Sequence, residues 1–210
     1  MFKIIFLILG IFILWEIIFR TARKTFPSPA PSFLGYFLDS KFRKLIQPPD
    51  KVIERTGIKE GMRVLEIGCG SGTFTVLAAR KLGRSGEIYA LDVQDRMLKQ
   101  LKKKLERAEN RDVKNIKIVK SDACFLPFDD NFFDLIFMVA VLPEISDKNK
   151  ALWEAKRVLK RGGILALTEF LPDPDYPLKS TTIRLGGRMG LILEKSFGRF
   201  WNYTVRFIKP

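Results

Sequence analysis

Histidine is absent from the 210-residue chain, and only two cysteines, Cys69 and Cys124, are present. Without histidine, Ser-His-Asp and Cys-His nucleophilic catalysis are excluded, and so are the usual zinc sites; no metal centre is expected. Two isolated cysteines build no disulfide framework and suit a reducing compartment. Acidic residues are outnumbered, 23 against 37 basic, which leaves a net charge of +14. That excess points to an anionic partner, either nucleic acid or an acidic membrane surface. The charge is uneven: residues 96–120 are strongly basic, whereas residues 121–172 are slightly acidic. Internal repeats and low-complexity tracts are missing.

What is present is organised around Val64-Leu65-Glu66-Ile67-Gly68-Cys69-Gly70-Ser71-Gly72. Arg63 to Ile67 has buried-strand character, and Thr73 to Leu82 reads as a helix with Phe74, Leu77, Ala78 and Leu82 on one face. Three alternate glycines between them let the backbone turn sharply and come close to a ligand. The helix start offers N–H groups to a carboxylate or phosphate. No Gly-Lys-Ser/Thr follows, so a P-loop is excluded, and the spacing is G-x-G-x-G rather than the dinucleotide pattern. A nucleotide-type cofactor without a pyrophosphate fits this spacing. Glu87 to Leu91 reads as the second strand and ends on Asp92, twenty residues after Gly72. An acid at that place can accept hydrogen bonds from ribose hydroxyls. Capping the helix that begins near Asp95 is its alternative use.

Further along, Asp95 to Glu109 reads as a helix with Met97, Leu98, Leu101, Leu105 and Ala108 inward and Lys99, Lys102, Lys103, Lys104 and Arg107 outward. No aromatic residues interleave those lysines to stack on bases, so a solvated face is favoured over an RNA surface. Ile116 to Val119 and the continuously apolar Phe133 to Val139 read as strands three and four. Lys148 to Lys160 reads as a helix stopped by Gly162-Gly163, followed by a fifth strand over Ile164 to Thr168. Strands alternating with helices predict an α/β doubly wound sheet whose ligands sit at the carboxyl ends of the strands. A proline-fixed loop, residues 170–177, lies at that edge, with Asp175 and Tyr176 as its polar candidates for lining a substrate site. A short helix over Ser180 to Gly187 and a strand pair, Leu191 to Phe197 and Trp201 to Ile208, complete the chain.

Val64–Gly72, Leu91-Asp92-Val93, Ser121-Asp122-Ala123, Leu126-Pro127-Phe128 and Arg157–Gly163 resemble, in order and spacing, the successive motifs of class I S-adenosylmethionine-dependent methyltransferases. The similarity extends to the branch containing the ubiquinone/menaquinone-biosynthesis methyltransferases and covers roughly residues 49–210. It implies a Rossmann-like, mostly parallel seven-stranded sheet with a closing antiparallel hairpin, and S-adenosyl-L-methionine as cofactor. Gly68, Cys69, Gly70 and the following helix start would hold the methionine part, with Glu66 helping through water or backbone. Asp92 would hold the ribose, and Asp122 and Ala123 the adenine, with Val93 and Val139 alongside. Relatives carry a Leu-His-Glu-like stretch where this chain has Leu142-Pro143-Glu144, which removes any histidine acid–base role. Glu144, Asp175 and Tyr176 are left as candidate bases.

The first residues read differently from the rest. Phe2 to Phe19 is almost unbroken Ile, Leu and Phe, apolar all round, and as a helix would extend about 27 Å against a hydrocarbon core of about 30 Å. A membrane anchor over residues 1–22 is predicted. A buried or interfacial helix and a signal peptide are the alternatives, although Thr21-Ala22-Arg23 is a poor cleavage site. One lysine precedes the span and Arg20, Arg23 and Lys24 follow it, which puts the domain on the cytoplasmic side. Residues 23–48 form a proline-stiffened linker and a basic, aromatic collar suited to anionic head groups. In the resemblance this collar folds over the cofactor, which makes Phe33 and Tyr36 candidates for substrate binding beside Tyr176. The resulting expectation is a membrane-anchored methyltransferase acting on a lipophilic small molecule or lipid: a quinone precursor, a phospholipid amine or a hydrophobic thiol. A tethered RNA or protein methyltransferase and a non-catalytic cofactor-binding protein are the competing readings.

Overall fold

A computed structural model describes Gly10, Leu14, Trp15, Ile18, Thr25 and residues 20–23, 27–29, 46–171 and 173–210. Phe33, Tyr36, the collar and most of the predicted anchor lie outside those residues. Among the described residues, no helix is long and apolar enough to cross a membrane.

Seven strands form one sheet in the order β3-β2-β1-β4-β5-β7-β6. They are β1 (Arg63–Ile67), β2 (Glu87–Asp92), β3 (Ile116–Lys120), β4 (Phe133–Val139), β5 (Leu159–Phe170), β6 (Ile192–Arg199) and β7 (Asn202–Ile208). The first five run parallel, and β7 is antiparallel to both β5 and β6. The strand order reverses between β1 and β4, which opens a crevice at their carboxyl ends.

The strands are apolar on both faces because helices cover both. On one face α4 (Lys148–Val158) and α5 (Lys179–Arg188) cover Leu65, Ile136, Leu165 and Phe207. On the other, α1 (Pro49–Thr56) and α2 (Thr75–Leu82) cover Val64, Ile88, Leu135 and Phe137, and α3 (Asp95–Leu105) packs on Ala90. The alternation of Phe133, Ile136 and Met138 with Leu135 and Phe137 between these two cores is what an apolar strand of a parallel sheet requires.

The structure corrects three expectations. Helix α2 starts at Thr75 rather than Thr73, because the turn closed by Gly72 N–H on the Cys69 carbonyl runs on through Phe74; its buried face is Thr75, Val76, Ala78, Ala79 and Leu82. Helix α3 ends at Leu105, where the Asn110 side chain caps the Lys104 carbonyl; a short 3-10 turn, Ala108–Asn110, follows, and Ala108 is exposed. Helix α4 ends at Val158, and Gly162-Gly163 lie inside β5 instead of stopping the helix. Residues 160–163 are skipped in the β4 register, with Gly162 at φ 73°, and the backbone of Gly162 and Gly163 bonds instead to Lys209. Residues 142–144, after β4, form a 3-10 turn.

Arg157 explains why two of the recognised motifs belong together. Its guanidinium donates to Glu154, Asp130 and the carbonyls of Leu126 and Phe128, tying α4 to the turn before β4. Buried Glu154 also accepts the Leu126 N–H at 2.9 Å. Glu154→Leu keeps the volume but strands that N–H and removes one of the guanidinium's two carboxylate partners, leaving Asp130. A loss of about 2–4 kcal/mol in urea unfolding is expected.

Candidate active site

The loop after β1 is held from β2. Gly68 N–H and Cys69 N–H both donate to the Leu91 carbonyl, at 2.8 and 2.9 Å. One residue on, Asp92 Oδ2 accepts the Gly70 N–H at 2.9 Å while Oδ1 accepts the Gln94 N–H at 2.8 Å. Asp92 therefore does not cap α3, whose N-cap Gln94 has no side-chain cap bond; it closes a turn onto the Gln94 N–H and fixes the glycine loop. Burial holds its carboxyl above the usual range, and backbone donors from Gln94, Gly70 and Val93 oppose that rise. A carboxylate has about four acceptor positions, so capacity remains for a hydroxyl of a bound ribose.

The three loop glycines serve different ends. At Gly68 a Cβ would stand 2.4 Å from Val141 Cγ2, and at Gly72 2.3 Å from Leu101 Cδ1, so protein packing demands glycine at both. At Gly70, with φ +53°, a Cβ would meet no atom within 4 Å. That open face, beside the Asp92 carboxylate, gives room for a ligand to approach the backbone. Of the other predicted cofactor residues, Val93 follows Asp92 and is exposed, Ala123 is buried, and Val139 ends β4. Asp122 is exposed and its Oδ1 accepts the Cys124 N–H at 2.8 Å, which shapes the turn after β3. An open backbone face with a buried carboxylate beside it suits the polar parts of S-adenosyl-L-methionine.

Glu66 is placed more deeply than expected. It is 2% exposed and accepts the Thr75 hydroxyl at 2.5 Å, which joins β1 to the start of α2. Burial pushes its carboxyl up to about 8, the Thr75 bond opposing and Asp92 reinforcing the rise. Burial likewise holds the Cys69 thiol well above its ordinary value, so it acts as a small apolar wall and not as a nucleophile.

Two of the three candidate bases meet. Asp175, buried, and Glu144, partly buried, face the same guanidinium: Arg23 Nη2 lies 3.2 Å from Asp175 Oδ2 and 3.7 Å from Glu144 Oε1. Tyr176 turns away. Its hydroxyl donates to the Phe200 carbonyl, its ring packs edge-on against Tyr203, and burial raises its phenol. It is part of the wall and not a free proton acceptor. Reading the sequence missed Arg23, taken only as a flanking charge, and Glu169, whose signal was an acid inside the apolar β5. It also missed Thr75, for which no local signal distinguishes a Glu66 partner from a helix-start threonine.

A methyltransferase-domain profile matches residues 58–183, more than half of the chain. The chain is 41% identical over 118 residues to a ubiquinone/menaquinone biosynthesis C-methyltransferase of Idiomarina loihiensis, covering 56% of this chain and 46% of that protein. It is 35% identical over 128 residues to a demethylmenaquinone methyltransferase of Staphylococcus aureus, covering 61% and 51%. It thus spans about half the length of the curated relatives it matches. The crystal structure of a SAM-dependent methyltransferase from Aquifex aeolicus superposes with a TM-score of 0.79 at 26% identity, covering 87% of this chain and all of that one.

The raised Glu66 carboxyl has a consequence for stability. Below its ordinary value of 4.5 the group is neutral folded and unfolded; between there and about 8 only the unfolded chain ionises, so its contribution falls as pH rises. Glu66→Gln keeps an acceptor for Thr75 and cannot ionise. The variant should gain on the wild type through this window, by up to about 1.4 kcal/mol per pH unit in denaturant midpoints converted to free energy.

Proposed function

The chain belongs to the methyltransferase-domain family, whose cofactor is S-adenosyl-L-methionine, and from that premise we propose that it methylates a lipophilic acceptor at a membrane surface. The observation that carries the cofactor part is the Gly70 face, open to a ligand and bounded by the Asp92 carboxylate. The quinone-type acceptor is supported by the names of the two curated relatives.

Bound S-adenosyl-L-methionine supplies a methyl group already activated by positive sulfur, so a well-aimed nucleophile needs positioning more than covalent help. The residues of this chain provide holding and shielding. Gly68, Cys69, Gly70 and the start of α2 hold the methionine part, and Asp92 holds the ribose. Asp122 and Ala123, with Val93 and Val139, hold the adenine. Glu66 acts one layer back, orienting the loop through Thr75 and the β1 backbone. Glu144 and Asp175 flank the acceptor side, where Arg23 spans the loops after β4 and β5.

The membrane part rests on residues 2–19 and on their exit point. Leu14, Trp15 and Ile18 are exposed, and Arg20 Nη1 donates to the carbonyls of Leu171 and Asp173 at 3.3 Å. A membrane contact made by that segment would lie next to the carboxyl edge of the sheet, with the domain on the cytoplasmic side. Phe33 and Tyr36, from the linker and collar of residues 23–48, complete the proposal as acceptor-binding residues.

Detergent-purified protein incubated with methyl-labelled S-adenosyl-L-methionine and membrane lipids should put label into the organic phase. Label confined to RNA or protein would replace this reading with the macromolecular one that the net charge of +14 favours. Asp92→Ala should weaken S-adenosyl-L-methionine binding by at least about tenfold in calorimetry, or about 1.4 kcal/mol, with the domain still folded by circular dichroism. Unchanged affinity would refute the ribose role.

A further inference from the structure

Glu169 is a buried acid with one carboxyl oxygen, Oε1, that finds no hydrogen-bond partner among the described residues. It is the penultimate residue of β5, at the carboxyl edge, and is 1% exposed. Thr168, one position earlier and on the opposite face, shows what a structural polar group in this strand looks like: its hydroxyl lies 2.9 Å from that of Thr204. An unsatisfied buried group costs about 1–3 kcal/mol, and such a group calls for a functional explanation.

Its surroundings define a site. Glu144 comes from the loop after β4, Asp173 and Asp175 from the loop after β5, Lys148 from the start of α4, and Tyr203 from the neighbouring register position in β7. Tyr176 is also near enough for an ionised Glu169 to raise its phenol. Burial, then Asp173, Asp175 and Glu144, hold the Glu169 carboxyl well above its ordinary value, and Lys148 opposes them. Burial therefore favours the protonated form of the group, which has one O–H to donate and a carbonyl oxygen to accept. Arg23 bridges Glu144 and Asp175, the outer members of the same cluster. The β4 loop that carries Glu144 also carries Val141, which packs against Gly68 of the cofactor loop.

We propose that Glu169 recognises the head group of the methyl acceptor, an uncharged hydroxyl-bearing ring such as a phenol or quinol, and that the carboxylates around it reject anionic head groups. A hydroxyl both donates and accepts, as the protonated acid does, whereas a phosphate or carboxylate would meet Asp173, Asp175 and Glu144 as like charges, with Arg23 already shared between the last two and Lys148 the opposing charge at Glu169. This inference rests on the lipophilic-acceptor reading above.

The test uses the full chain saturated with S-adenosylhomocysteine and measures binding of two probes, a prenylated 1,4-naphthalenediol and its monophosphate ester. Glu169→Gln keeps a donor and an acceptor and should bind the diol within about threefold of the wild type, whereas Glu169→Leu should lose at least about tenfold. The monophosphate should bind the wild type at least about tenfold more weakly than the diol. S-adenosylhomocysteine affinity should be the same in all three proteins. A Leu variant with wild-type diol affinity would overturn the assignment, and a Gln variant as poor as Leu would overturn the neutral-acid form of it. A diol bound through Glu169 but never methylated would sink the methyl-transfer reading and leave this one standing. A wild type that binds no diol would sink both.

Discussion

Everything at the cofactor edge depends on a single carbonyl. The Leu91 oxygen accepts two consecutive N–H groups, those of Gly68 and Cys69, and so fixes where β1 stops and which way the chain leaves the sheet. The Asp92 carboxylate then takes the Gly70 N–H and closes a turn onto the Gln94 N–H, ahead of α3. One peptide at the end of β2 thereby sets the loop, the entry to α2 and the entry to α3. The glycines obey this constraint: with side chains at Gly68 and Gly72, the loop could not lie against Val141 and Leu101.

The second organising feature is the separation of buried acids by role. Glu66 is neutral and satisfied by Thr75, and it stiffens the joint between strand and helix. Asp92 accepts from backbone N–H groups and still has capacity for a ligand. Burial favours the protonated form of Glu169, which has an oxygen left over. Glu154, in contrast, is held ionised by Arg157, far from the crevice, where a permanent charge pair can be structural. The ligand edge keeps its acids protonated or adaptable, and the supporting layer keeps its acid charged.

Much of this was legible in the residues. The bounds of β1 and β4 agree with the sequence reading, because a glycine turn ends one and a continuous apolar run defines the other. The closing hairpin was equally clear from its alternation. Where the reading failed, a long-range contact had overruled a local signal. Gly162-Gly163 has the composition of a helix stop, yet Lys209, from the far end of the chain, holds it as a kink within β5. Leu105 looks like the middle of a helix until Asn110 caps it from beyond. Asp175 and Tyr176 are neighbours in sequence, but one faces Arg23 and the other Phe200, a divergence set by the β6–β7 hairpin and invisible in the loop itself. Glu169 needed the third dimension because only burial and an oxygen without a hydrogen-bond partner among the described residues distinguish it from a solvated acid.

The strand order places β7 between β5 and β6, so spatial order and chain order disagree at this end of the sheet. During synthesis β6 leaves the ribosome before β7, the strand that is its neighbour in the sheet. Until Asn202–Ile208 emerges, β5 presents a row of unpaired N–H and C=O groups, an edge that invites pairing with other chains. Lys209, which holds the Gly162-Gly163 kink, arrives later still. The half of the domain that carries Glu169 and Asp175 is thus the last to be assembled on a nascent chain, after the half that carries the glycine loop has emerged, and the core that joins Leu65 and Ile67 to Tyr203, Val205 and Phe207 is completed only then.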